Sequence, residues 1–349
     1  MFDYSKISLC LVLTVLLIFT ACGLLSSDEK EKILEPGPRN YAWQVDTLYS
    51  PPGGFVYDIW GSSPNDLWAV LGGGINTLWH FNGEEWSVWP EQVGPAFYSI
   101  YGFAQDDVWM GGNDGKLYHF DGERWKLSFQ LELSEALFID LNTIFGESSN
   151  LYVAGIVVYP DGIPNSFLLN YDGRNWKKVL ITDFKVQLQR IRWDRKGIFL
   201  QGVNIHSQPD SMFFYKLEGA RLKEKFSISG DKDIEIISLN KIGKDIYFAM
   251  GNVLHTYEGK EFKPWHTVLE PNFGYQIYGR HKKDIFLRMK DGLAHYNGED
   301  TQYLFNYNNF LFSLSNNAML FDEEVFFIVN DFDLGTNYIY HGTLISEEE

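Results

Sequence analysis

A closed ring of seven small antiparallel sheets is the fold class this sequence predicts, and three observations predict it. A two-part pattern recurs seven times between Val56 and Ile345. The aromatic that ends its first part returns after 41, 43, 47, 48, 39 and 40 residues. That spacing is close to the roughly 40–50 residues of one four-stranded blade. The second part carries a polar residue and Gly between two β-prone runs, which marks a tight hairpin because Gly accepts positive φ without a Cβ clash. The class is all-β, a seven-bladed β-propeller.

The first half reads IWGSSPNDLW at Ile59–Trp68 and IYGFAQDDVW at Ile100–Trp109, then IFGESSNLY at Ile144–Tyr152. It continues as IRWDRKGIF (Ile191–Phe199), LNKIGKDIY (Leu239–Tyr247), IYGRHKKDIF (Ile277–Phe286) and LSNNAMLFDEEVF (Leu314–Phe326). The second half reads HFNGEEW (His80–Trp86), HFDGERW (His119–Trp125) and NYDGRNW (Asn170–Trp176). Weaker copies place Gly219, Gly259, Gly298 and Gly342 at the same point. Each unit yields four strands, a to d, and the closing aromatics are expected to pack between neighbouring blades. The last unit stops before a full strand d, whereas a spare run at Ala42–Tyr49 precedes the first strand a. Trp43 falls where Trp86, Trp125 and Trp176 fall, so the amino-terminal run is expected to complete the seventh blade and latch the ring.

WGSSPNDLWAVLGG and HFNGEEW resemble the tandem units of secreted bacterial propeller proteins. The resemblance is strong in units one and two and loose in unit four, where Gly197 replaces the Asp. It implies a propeller and little about role, since such repeats scaffold unrelated functions.

Residues 1–21 read as a lipoprotein signal peptide: Lys6, a short apolar core at Leu9–Phe19, then Phe19-Thr20-Ala21 before Cys22. Cys22 is the expected lipidation site, and residues 22–40 read as a flexible tether ahead of the propeller at 41–349. Cys10 and Cys22 are the only cysteines, so no disulfide is expected. Without an Asp after Cys22, the outer membrane is the expected location, with the face undetermined. The formal net charge of −17 argues against nucleic acid and anionic membrane surfaces.

His80, His119 and His295 share one repeat position, and Asp66, Asp107, Asp245 and Asp284 share another. Spread around a ring, neither set converges on an ion or a carboxylate pair, so no metal or cofactor is expected. The aspartates read as turn caps and the histidines as parts of hairpins. Longer b–c loops in units three and four are expected to form a rim, with Tyr159, Asp161, His206 and Asp210 as contact candidates. The expected function is a monomeric, lipid-anchored, non-catalytic scaffold that binds a protein or glycan on one face. The alternative is a polysaccharide lyase or glycoside hydrolase with its site in the central funnel.

Overall fold

The computed structural model describes residues 34–49, 54–73, 77–91, 93–94, 96–182, 185–204, 210–229, 237–307, 312–331 and 335–346. Cys22, the signal segment and His206 lie outside them. Pro36–Glu349 forms one compact unit that holds all seven sheets. Each sheet has four antiparallel strands in chain order, except the seventh. There Tyr41–Leu48 pairs with Thr336–Leu344 and supplies strand d, with Trp43 opposite Gly342. The ring is a seven-bladed β-propeller closed by its own beginning, as the sequence predicts.

The inner strands are Phe55–Ser63, Phe97–Ala104, Phe138–Glu147, Gln187–Asp194, Ile237–Ile242, Phe273–His281 and Phe312–Leu320. Each contacts the next, and the last contacts the first, so they surround the ring axis. An innermost strand has one unpaired edge, whose buried N–H and C=O groups need partners. Polar side chains of the adjoining blade provide them at six junctions, and between blades six and seven Arg280 reaches the a–b turn just past the inner strand. Asp58 accepts from Ser99 Oγ and the Ile100 N–H, both at 3.0 Å, and Ser99 Oγ accepts from the Ile144 N–H at 2.9 Å. The Leu188 N–H donates to Ser166 Oγ, and Gln201 bridges Ile237 and Leu239. Ser238 donates to the Tyr275 carbonyl, and Arg280 to the carbonyls of Phe321 and Asp322. Asn330 and Asn337 close the last junction on Val56.

The repeated aromatics fill the gaps between blades. Trp68, 1% exposed, meets Phe120 and Trp125 of the next blade at 5.1 and 5.3 Å between ring centroids. Trp109 meets Tyr171 and Trp176, Phe199 meets Tyr257, and Phe326 meets Phe81. Two strand-a glycines make room for a ring from the blade before: a Cβ would lie 2.5 Å from Trp60 on Gly102 and 2.5 Å from Phe103 on Gly146.

Two details of the repeat differ from the expected alignment. Phe326 pairs with His341 as Trp68 pairs with His80, so His341, not Gly342, marks the seventh copy. Gly342 lies inside strand c without positive φ, where a Cβ would lie 2.8 Å from Trp43. On strand a, Ala318 occupies the position expected for Leu314, because Ala318 faces Phe327 as Ile59 faces Ala69. The stretch read as the end of the tether is also packed: the Gly37 N–H donates to the Lys283 carbonyl and Arg39 pairs with Asp300 at 2.8 Å.

Candidate functional site

The repeated acids and histidines turn out to be partners. His80 Nε2 lies 2.7 Å from Asp66, His119 2.8 Å from Asp107, His295 2.7 Å from Asp284 and His341 2.6 Å from Glu324. Each joins strands b and c of one blade, and each imidazole lies against the repeat aromatic, as His119 does on Trp109 at 4.2 Å. Burial raises the Asp66 and Asp284 carboxyl pKa values, but the hydrogen bonds from His80 and Ser62, and from His295 and Arg280, outweigh it and hold both low. The turn-cap reading of Asp66, Asp107 and Asp284 is therefore replaced by a cross-strand pair. Asp245 instead faces Arg195 and Lys196, each at 3.8 Å. The four pairs tie strand b to strand c within a blade, and Asp245 faces the blade before it.

Function is better sought where the inner strands leave the regular pattern. In blades one to four the a–b register shifts at one equivalent place: between Val56 and Asp58, Phe97 and Ser99, Leu141 and Thr143, and Leu188 and Arg190. A β-bulge inserts one residue and re-aims its side chain. The four inserted residues are Tyr57, Tyr98, Asn142 and Gln189, and all four line one cavity of about 450 Å³ with Asp140, Ile156 and Gln187. Tyr57 is 44% exposed and its ring lies 5.1 Å from that of Tyr98. Gly72 sits beneath both, where a Cβ would come within 2.5 Å of Tyr57 and 2.8 Å of Tyr98. Burial, then the charge of Asp140, pushes the Tyr98 hydroxyl up to about 12. Burial, then Asp114, raises the Asp140 carboxyl. Paired aromatic faces beside amides offer stacking area and two-way hydrogen bonding, the equipment of a recognition site.

One residue further along, every inner strand carries a polar side chain: Asp58, Ser99, Thr143, Arg190, Ser238, Gln276 and Asn317. All but Asn317 are buried. Asp58 accepts from Ile59, Ile100, Ser99 and Asn317, yet burial still raises its pKa. Burial, then the like charge of Arg192, brings Arg190 down to about 9. Among the described residues the funnel is thus neither small and apolar nor furnished with a free carboxylate pair, and Asp58 is committed to four donors.

Beyond this layer comes a ring of Trp60, Tyr101, Phe145, Arg192, Asn240, Tyr278 and Met319, each opposite a repeat aromatic of strand b. A second cavity, about 250 Å³, opens at this level between Arg192, Asn240, Lys241, Tyr278 and Asn317. Because strands a and b run in opposite directions, it lies toward the a–b turns and the Tyr57 cavity toward the b–c loops.

Of the expected rim residues, Tyr159 and Asp161 share one turn of blade three. Tyr159 packs half-buried on the blade core, and Asp161, exposed, caps its own turn by accepting from the Ile163 N–H at 3.0 Å. Asp210 is exposed at the start of strand c in blade four. Asn337, near the end of the seventh unit, is a fully buried structural amide. The bulge residues were missed as site candidates, although Tyr57 and Tyr98 stand just before Asp58-Ile59 and Ser99-Ile100, at one repeat position. Arg190 and Arg192 also had a signal: two cations at alternate positions of one strand, which places them on the same face.

No family model and no curated protein matches this chain. Solved structures do. A structure of YCF48 bound to D1 peptide is 14% identical, with a TM-score of 0.59, covering 88% of this chain and 99% of that one. An oligogalacturonate lyase from Vibrio parahaemolyticus is 11% identical, with a TM-score of 0.57, covering 90% and 99%. Raptor from Chaetomium thermophilum is 10% identical, with a TM-score of 0.54, covering 89% of this chain and 30% of that one. At such identities the likeness is one of fold: the chain shares the β-propeller architecture with a peptide-bound YCF48, with Raptor and with a lyase.

Proposed function

We propose that this protein is a non-catalytic binding propeller of the bacterial envelope, held by lipid on Cys22, that docks a protein or glycan partner at the Tyr57–Tyr98 mouth of its axis. One observation carries the reading: four successive blades use equivalent bulges to turn Tyr57, Tyr98, Asn142 and Gln189 into a single cavity. Regular strands would leave that mouth featureless, and a bulge interrupts ladder hydrogen bonding, so four in register point to selected side-chain placement. The similarity to a propeller described as bound to a peptide supports the class of activity. The Tyr159–Asp161 turn and Asp210 border the same end of the ring and would extend the contact.

The test is photo-cross-linking in the native envelope. A benzophenone amino acid is placed at Tyr98, at Tyr159, or at Glu84, an exposed residue on the c–d turn of blade one, at the opposite end of the ring. A partner adduct at Tyr98 but not at Glu84 is the expected result. Equal labelling at both sites, or none at Tyr98, would contradict the reading. The oligogalacturonate lyase neighbour keeps the enzyme alternative in view, and it needs polysaccharide cleavage that survives purification and is lost on changes along the axis.

A further inference from the structure

The cavity at the opposite mouth has a different chemistry. In blades one to three, position 60 and its equivalents are aromatic: Trp60, Tyr101 and Phe145. Blade four puts Arg192 there, and blade five puts Asn240 followed by Lys241. The unit whose repeat is most degraded is thus the one that delivers a cation to the axis.

The Arg192 guanidinium donates to the Ile191 carbonyl at 2.8 Å and to Asn317 Oδ1 at 2.9 Å, both neutral acceptors. Among the described residues it forms no salt bridge, and it reaches the Asp58 carboxylate only through Asn317, whose Nδ2 donates to Asp58 at 2.5 Å. Burial lowers its pKa from the usual arginine value without discharging it at neutral pH. Lys241 Nζ lies 2.5 Å from Glu147, and both cations approach the Phe145 ring, at 5.6 Å for Arg192 and 5.2 Å for Lys241. Arg190 and Arg288 stand deeper along the axis, within electrostatic reach of Tyr278. Among the described residues, two cations, Arg192 and Lys241, line the cavity with Arg190 and Arg288 deeper, against the two carboxylates Asp58 and Glu147, in a chain whose net charge is −17. Low-dielectric walls concentrate such a local excess and draw in anions despite the acidic exterior.

We infer that this cavity binds the carboxylate-bearing sugar residue of an acidic glycan, with Arg192 and Lys241 holding the carboxylate and Asn240 and Asn317 the hydroxyls. Guanidinium and carboxylate match in a fork of two hydrogen bonds, and side-chain amides both donate to and accept from hydroxyls. The volume, about 250 Å³, suits one sugar ring rather than a folded segment. The inference rests on the reading of the chain as a binding protein, but it concerns a separate mouth.

Calorimetric titration of the full-length, detergent-solubilised protein tests it, with D-glucuronate, D-glucose and N-acetyl-L-glutamate as probes. Glucuronate should bind at least 10-fold more tightly than glucose and N-acetylglutamate, and more weakly as salt rises. Arg192→Gln should weaken it at least 10-fold, whereas Leu269→Ala, at an exposed residue outside both cavities, should leave it unchanged. Lys241→Gln, nearer the surface, gives a second variant should Arg192→Gln fail to fold, with circular dichroism as the check. No glucuronate binding, equal binding of N-acetylglutamate, or indifference to both variants would overturn the inference. Cross-linking at Tyr98 that persists in that event would show that only this inference has failed, and its simultaneous absence would remove the binding reading as well.

Discussion

Deleting Tyr41–Leu48 is expected to abolish cooperative folding, leaving a chain without a sharp thermal transition and with exposed apolar surface. The strand pairs over its whole length with Thr336–Leu344, from Tyr41 opposite Leu344 to Leu48 opposite Asn337. It buries Tyr41 and Leu48 and sets Trp43 at 4.9 Å from Phe305, edge-on, and 6.3 Å from Phe327. At about 1.5–3 kcal/mol for each large side chain removed from water, three such residues contribute roughly 5–9 kcal/mol. Domains are stable by only about 5–15 kcal/mol in total. The loss also strips the Tyr41 hydroxyl from Arg280, which holds blade six to blade seven. Thermal scans by near- and far-ultraviolet circular dichroism measure the effect. A truncated protein that melts within a few degrees of the full chain would show that the ring closes by other means.

Asn337→Ala is expected to cost about 3–5 kcal/mol, because a buried group left without its partner costs about 1–3 kcal/mol. The amide is fully buried and ties three segments: Nδ2 donates to the carbonyls of Leu48 at 3.1 Å and Gly54 at 2.8 Å, and Oδ1 accepts from the Val56 N–H at 3.0 Å. Those groups belong to the latch strand, the link to blade one and the first inner strand, so one side chain joins the beginning of the ring to its end. Asn337→Asp should be worse at neutral pH, since it turns two donated bonds into repulsion between a carboxylate and two carbonyls. Protonation should partly relieve it, so that variant should regain stability as the pH falls through the carboxylate range. Urea unfolding gives the free energies. A change of less than about 1 kcal/mol in Asn337→Ala would mean that water replaces the amide without penalty.

Blade number and closure were legible because they depend on what repeats: aromatics every 39 to 48 residues, hairpin glycines, and Trp43 matching Trp86. Pairing across strands was harder to see. Asp66 and His80 are 14 residues apart, Asp107 and His119 are 12 and Asp284 and His295 are 11, so each set looks like an independent repeat position. Only the register, Trp68 opposite His80, brings them together. Gly342 misled because a glycine that accommodates Trp43 has the same letter as one that makes a turn. The axis was the least legible part. Tyr57, Tyr98, Asn142 and Gln189 differ chemically, and what they share is a bulge, which depends on pairing with strand b. Arg192 was obscured because unit four was read as a decayed copy rather than as a changed one.

Closure of the wheel by its first strand can be measured directly with a cysteine at Ala42 and another at Thr343, in a chain carrying Cys10→Ser and Cys22→Ser. The two positions are opposite each other and exposed. Opposed residues of antiparallel strands place their Cβ atoms about 4.5–5.5 Å apart, close enough for a disulfide after a small adjustment. Mild oxidation should link the two in the folded protein, giving a compact band on a non-reducing gel and a single peptide joining residues 42 and 343. If both thiols remain open to alkylation under native conditions, the amino-terminal strand is not the outer strand of the seventh blade.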